Sequence, residues 1–262
     1  MLKWLFHDQL QLGLAQSAAA GLAAMVVILL ARKRGIHLES DALIAMVRGL
    51  IQIIAVGSIL LILLRAPRWT AVFLLIAMIV AAGATSARRA QGIPDAFKVS
   101  AWSIACGAGS VIAIMTWLGV IDTAITALVP VGSMLIANAM NTNGLALNRL
   151  RGDVLAHVGE IETALALGAE ARSSLDPYVQ SAYEASLIPA IDSLRSLGIV
   201  WIPGLMAGML LSGARPVYAA VYQFVVLAMI FAASGITSLV STFLIRTHLF
   251  TSAEQLLLQP GR

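Results

Sequence analysis

The chain has 262 residues, of which 60% are hydrophobic and 11% charged, with a net charge of +4. A soluble domain covers itself with about 25% charged residues, so this composition excludes an ordinary soluble fold and leaves the bilayer as the solvent for most of the chain. The basic pI of about 9.6 arises from Lys and Arg at the ends of apolar stretches, and does not point to nucleic acid.

A spanning helix needs about 20 largely apolar residues. Charge-free stretches of that length run over 9–31, closed by Arg32, Lys33 and Arg34, and over 42–64, broken by Arg48 alone. Further stretches cover 69–87, ended by Arg88 and Arg89, then 99–121 and 123–148. After a polar interval come 197–214 and 216–245, which makes seven. The runs are continuous and rich in Ala, Leu and Ile, without the period-two alternation of a β-barrel. The expected architecture is therefore all-α and polytopic, a single transmembrane domain over 1–262. The first stretch is too long for a signal-peptide core and has its positive cluster after it, not before.

Lys and Arg are retained on the cytoplasmic side. With the N-terminus outside, 12 of the 17 Lys and Arg fall in inside segments and 4 outside, with Arg48 within a span. The sequence thus predicts an N-out, C-in protein of the plasma (inner) membrane.

Several chemistries are absent. All four histidines lie outside the spans, so a Ser/His intramembrane protease has no base at the right depth. No G-x-x-x-x-G-K-[ST] occurs, so the chain has no P-loop of its own. No His/Cys/Asp/Glu cluster in the spans predicts a metal site, and the single Cys106 reads as core packing. No catalytic residue and no cofactor bound by this chain are expected.

The polar interval, about 149–196, reads as a cytoplasmic helical hairpin between spans five and six. Its first helix, over 152–171, carries Glu160, Glu162 and Glu170 with no basic residue between Arg151 and Arg172. A helix lying on lipid headgroups carries Lys and Arg instead, so docking into a groove on a partner protein is favoured. Asp176 and Pro177 suit the start of the second helix, and Pro189 is expected to kink it.

Residues Glu162-Thr163-Ala164-Leu165-Ala166-Leu167-Gly168 resemble the E-A-A-x-x-x-G loop of ABC-transporter permeases, with Thr163 in place of the first Ala. A wider series resembles the Fet-type iron-export ABC permeases, a family that includes plant aluminium-tolerance permeases. The matching segments are 45–52, 130–134 (Pro130-Val131-Gly132-Ser133-Met134), 138–141, 162–168, 188–192, 203–208 (Pro203-Gly204-Leu205-Met206-Ala207-Gly208) and Tyr222-Gln223. That resemblance, covering about residues 40 to 245, implies a permease working as a homodimer with two copies of a separate ATPase, which holds the ATP and Mg. It implies coupling through Glu160, Glu162, Ala164 and Gly168, and export of iron or another metal cation. Where the family has a Thr and a Gln after its Pro-Gly pair, this chain has Ala207 and Met209, a less polar segment.

The residues themselves leave alternatives open. Arg48, with Gln52 one turn on, reads either as a gating element or as a structural pair with Glu39 or Asp41. Asn138, Asn141 and Asn143, with Met134 and Met140, either hydrogen-bond and pack between helices or line a cation path. Pro203, Gly204, Met206 and Gly208 mark a hinge or a close helix contact, and Gln223 joins them as a pathway residue. A stand-alone secondary transporter is the alternative function, although the spans offer it no Asp, Glu or His to carry a proton.

Overall fold

The computed structural model describes residues 9–37, 39–63, 67–90, 92–251 and 255–258. The chain divides into two compact units, over 1–66 and 67–262.

The first unit is two helices, α1 (Gln9–Lys33) and α2 (Glu39–Leu63). Gly35 turns the chain between them at φ +74°, a conformation that glycine enters without strain. Arg32 and Lys33 close the last turn of α1, where their charge complements the negative helix end.

The second unit holds α3 (Trp69–Ala87), α4 (Ala96–Ile104), a five-residue π turn (Ala105–Gly109), α5 (Ser110–Trp117) and α6 (Ile125–Ala156). The short α7 (Val158–Ala166) follows, then a 3-10 turn (Ser173–Leu175), α8 (Asp176–Ser196), α9 (Gly204–Leu211) and α10 (Pro216–Thr247). Helices α4 and α5 continue one another through the π turn as a single element, Ala96–Trp117.

Among the described residues, six helices are long and apolar enough to cross a membrane: Gln11–Lys33, Ser40–Ser58, Trp69–Ala87, Ala96–Trp117, Ile125–Ala156 and Pro216–Thr247. Among the described residues there is no β-strand, only two isolated bridges. The protein is an all-α, polytopic membrane protein.

Two cores organise the second unit. One joins α3, α4, α5, α6 and α10 through Leu75, Ile104, Ile112, Leu135 and Val226. The other gathers Ile93, Leu147, Leu150, Ile161, Leu175, Ile245 and Leu249 at the opposite end of the bundle. Small residues set the helix spacing: a methyl group added at Gly83 would sit 2.9 Å from the Ala101 Cα. Small residues give packed spanning helices their close van der Waals contact, because lipid offers no hydrophobic drive for association.

Three expectations change here. The stretch 197–214 is not a spanning helix, because only Gly204–Leu211 is helical within it. Gly198 and Gly213 take φ of +74° and +90°, and Pro203 is extended, so the backbone turns where hydropathy alone reads continuity. The second arm of the expected helical hairpin, α8, is packed into the bundle instead of lying free at its surface. Ala182 of α8 belongs to the second core, while Leu194 and the following Leu197 pack on the first. Two of its serines meet neighbouring helices: Ser186 and Ser238 hydroxyls lie 2.7 Å apart, and Ser181 donates to Asp153 at 3.2 Å. The helix runs on through Pro189 without ending. Lastly, Cys106 is exposed in the π turn and is not core.

Candidate functional site

The end of α6 builds the first candidate site. His157 leaves helical geometry at φ −120°, ψ 25°, which turns the chain sharply into α7. Its ring stacks on Tyr178 at 5.1 Å, and its Nδ1 lies 2.8 Å from the Asp153 carbonyl oxygen. Asp153 also pairs with Arg149 at 3.0 Å. The corner is therefore tied to both α6 and α8.

The amphipathic pattern of α7 sets its orientation. Ile161 is 1% exposed within the second core, with Val158 and Leu165 packed beside it. The opposite face presents Gly159, Glu160, Glu162 and Thr163 to solvent, and Ala164 is half-buried.

The two acids expected to act together are treated differently. Glu160 accepts a hydrogen bond from the Tyr178 hydroxyl at 3.2 Å. Burial, followed by the Glu160 carboxylate, pushes the Tyr178 pKa up and keeps the phenol a donor. Glu162 makes no such contact among the described residues and is exposed.

Gly168 ends α7 at φ +90°. Its N–H reaches the Leu165 carbonyl at 3.0 Å, and the Ala169 N–H reaches Ala164 at 3.0 Å, the paired bonds of a Schellman cap. No atom lies within 4 Å of an added Cβ, so glycine serves here for conformation and not for close approach within the chain. The cap leaves Leu167 standing out, 84% exposed.

The expected pathway residues do not form one cluster. Asn138 and Asn141 lie on one exposed stripe of α6 with Pro130, Ala137, Leu145 and Asn148, and Met140 is half-buried at its edge. Asn138 donates back to the Met134 carbonyl at 2.8 Å, while Asn141 presents its amide outward. Amides on a spanning helix are costly against lipid, so this face suits a watery path or another protein surface. By contrast Asn143 is buried and donates to the Ser86 hydroxyl at 2.6 Å.

Arg48 and Gln52 belong to the first unit. Both are exposed on α2, beside Leu43, Ile44, Val47 and Ile51. Arg48 makes no ion pair with Asp41, and the side chain of Glu39 lies outside the described residues. Pro203 caps α9 and is buried, Met206 is half-buried, and Gly204 and Gly208 face open space. Gln223 sits inside the bundle at 1% exposure.

One feature was missed from sequence. Ser234, Thr237, Ser238, Ser241 and Thr242, five hydroxyls within nine residues of α10, are all buried. That local density in an otherwise apolar span was the available signal. Among the described residues, no three His, Cys, Asp or Glu converge on a point that would hold a metal.

A polytopic helical bundle, with an acid-bearing helix seated on it by one face, is the build of a membrane permease. The chain belongs to the uncharacterised protein family UPF0014, whose model matches residues 14–250. It is 32% identical over 253 residues to the UPF0014 membrane protein STAR2 of Oryza sativa subsp. japonica, covering 96% of this chain and 88% of that one. Similarity to the protein ALUMINUM SENSITIVE 3 of Arabidopsis thaliana is 31% identity over 93% and 90% of the two chains. The probable iron export permease protein FetB of Escherichia coli K12 is 30% identical, over 91% of this chain and 93% of that one. No solved structure matches.

Proposed function

We propose that the chain is the permease subunit of an ABC transporter, working as two copies with two copies of a separate ATPase that holds ATP and Mg. The observation that carries this reading is the seating of α7. Ile161 fixes the helix to the permease body, while Glu162 and Leu167 project from the other side. A helix anchored on one face and free on the other suits insertion into a groove on a partner. Because α7 packs in the same core as Leu175 and Ile245, a push on it is delivered to the start of α8 and the end of α10.

Taking α8 and α9 together as one broken crossing gives seven crossings, with the N-terminus outside and α7 in the cytoplasm of a bacterial-type plasma membrane. The distribution of Lys and Arg supports that orientation. Broken helices of this kind are tolerated where they line a cavity or lie against protein. The exposed Asn138 and Asn141 stripe of α6 would face the path, and the names of the Escherichia coli and Arabidopsis relatives support a metal cation as cargo.

The test is purification of the tagged chain from mild detergent together with its ATPase. Equal stoichiometry and vanadate-sensitive ATP hydrolysis are expected, and Glu162→Lys should abolish transport while leaving membrane insertion intact. A clean preparation without ATPase, even after crosslinking, would overturn the assignment. For the cargo, Asn138→Ala with Asn141→Ala should slow metal export from loaded cells; unchanged export removes that face from the path.

A further inference from the structure

Gln223, Ser234, Thr237 and Ser241 share one face of α10, at successive spacings of 11, 3 and 4 residues. At 1.5 Å per residue they extend over about 27 Å of helix, close to the roughly 30 Å of a hydrocarbon core. All four side chains are buried, and their polar atoms have no hydrogen-bond partner among the described residues.

The facing element is Ala96–Trp117. Gly107 of its π turn lies against α10 so closely that an added methyl group would overlap the Thr237 hydroxyl and approach the Ala233 carbonyl oxygen to 2.6 Å. Asp95, just before this element, lies 3.9 Å from His248, just after α10, so the two run antiparallel. Ser100 therefore falls toward Ser241. Its buried hydroxyl also has no partner among the described residues.

Packing alone does not account for this. In a helix a serine or threonine hydroxyl usually turns back onto the preceding turn, as Ser103 does to the Val99 carbonyl at 2.7 Å and Thr242 to Ser238 at 2.8 Å. Their neighbours Ser100, Ser234, Thr237 and Ser241 do not. A buried polar group left unmade is costly, and the usual remedy inside a protein is ordered water. A π turn, recurrent at functional sites, sits at the middle of the seam.

We propose that the seam between α10 and Ala96–Trp117 is a water-binding site, a file of internal water held by Ser100, Gln223, Ser234, Thr237 and Ser241. The inference rests on the chain spanning a membrane and not on its having an ATPase partner. Neutral hydroxyl and amide groups can both donate to and accept from water, and none of them brings a charge into the bilayer.

The test uses the full chain in lipid nanodiscs without ATPase. In a Cys106→Ser background, Ser234→Cys and Ser241→Cys are titrated with a charged, water-soluble methanethiosulfonate reagent, against Leu239→Cys on the exposed apolar face of the same helix. At least ten-fold faster modification of the two seam thiols is expected. Rates no faster than at position 239 would overturn the proposal. Should the variants fail to fold, hydroxyl-radical footprinting of the unaltered protein decides. Val226 and Ile230, buried on the same face between Gln223 and Ser234, should oxidise several-fold more than the buried Leu135 of α6. Oxidation equal to that of Leu135 would mean a dry seam.

Discussion

The Tyr178 hydroxyl donates to the Glu160 carboxylate across 3.2 Å, linking the first turn of α8 to the first turn of α7. The same ring stacks on His157 at the corner between α6 and α7. One side chain therefore positions the short helix that the proposed function depends on. Tyr178→Phe keeps the stack and removes the donor. Loss of about 0.5–1.5 kcal/mol is the ceiling for one such bond, less where water competes. The thermal midpoint should scarcely move while coupled transport falls several-fold, measured as transport per ATP hydrolysed.

Ile161 and Leu167 separate seating from docking. Ile161→Ala empties a buried site and should cost about 2–5 kcal/mol in the second core. Leu167→Ala removes an exposed side chain and should leave the melting temperature unchanged, while weakening association with the proposed ATPase partner. Equal binding by wild type and Leu167→Ala in a titration with the purified ATPase would exclude this residue from the contact.

Gly168→Ala tests the cap. With no neighbour within 4 Å, the substitution meets no clash, and its cost is the left-handed backbone alone, about 1–2 kcal/mol. Gly168→Asn should recover much of that loss, because Asn visits this conformation more readily than other residues. Thermal unfolding of the three proteins in one detergent checks the order Gly, Asn, Ala.

Gly107→Ala should destabilise by about 1–3 kcal/mol or more through overpacking. Thr237→Ala should not rescue it, because the added methyl group would also lie 2.6 Å from the Ala233 carbonyl oxygen and 2.7 Å from the Thr237 backbone nitrogen. Full recovery in the double variant would show that the hydroxyl alone sets the distance.

Asn143 and Ser86 form the buried hydrogen bond between α6 and α3. Interhelical bonds in bilayers contribute about 0.6 kcal/mol on average and up to about 1.7. A double-mutant cycle with Asn143→Ala and Ser86→Ala should give a coupling energy in that range, measured by unfolding in mixed micelles.

Much of the fold was legible because the bilayer imposes a simple rule on sequence. A segment that crosses must be long and apolar, and its flanking charges must stay in water. The six long helices among the described residues answer to that rule, and the acid-bearing segment that became α7 was legible from its helical spacing. The seven-residue pattern from Glu162 to Gly168 was also readable, although the reason for its glycine was not: a positive φ becomes visible only with the backbone in place.

The sequence by itself determined that this chain lives in a membrane, where most of its helices lie, and which short helix carries the free acid. Tertiary structure alone decided that 176–196 packs between two cores while 197–214 breaks, and that Glu160 is held while Glu162 is free. It also decided that the hydroxyls of α10 are buried on one face. Hydropathy sums the transfer cost of each residue separately, whereas packing depends on which faces meet. A serine covered by a serine from another helix costs little, and no scale read along one strand of sequence contains that second residue.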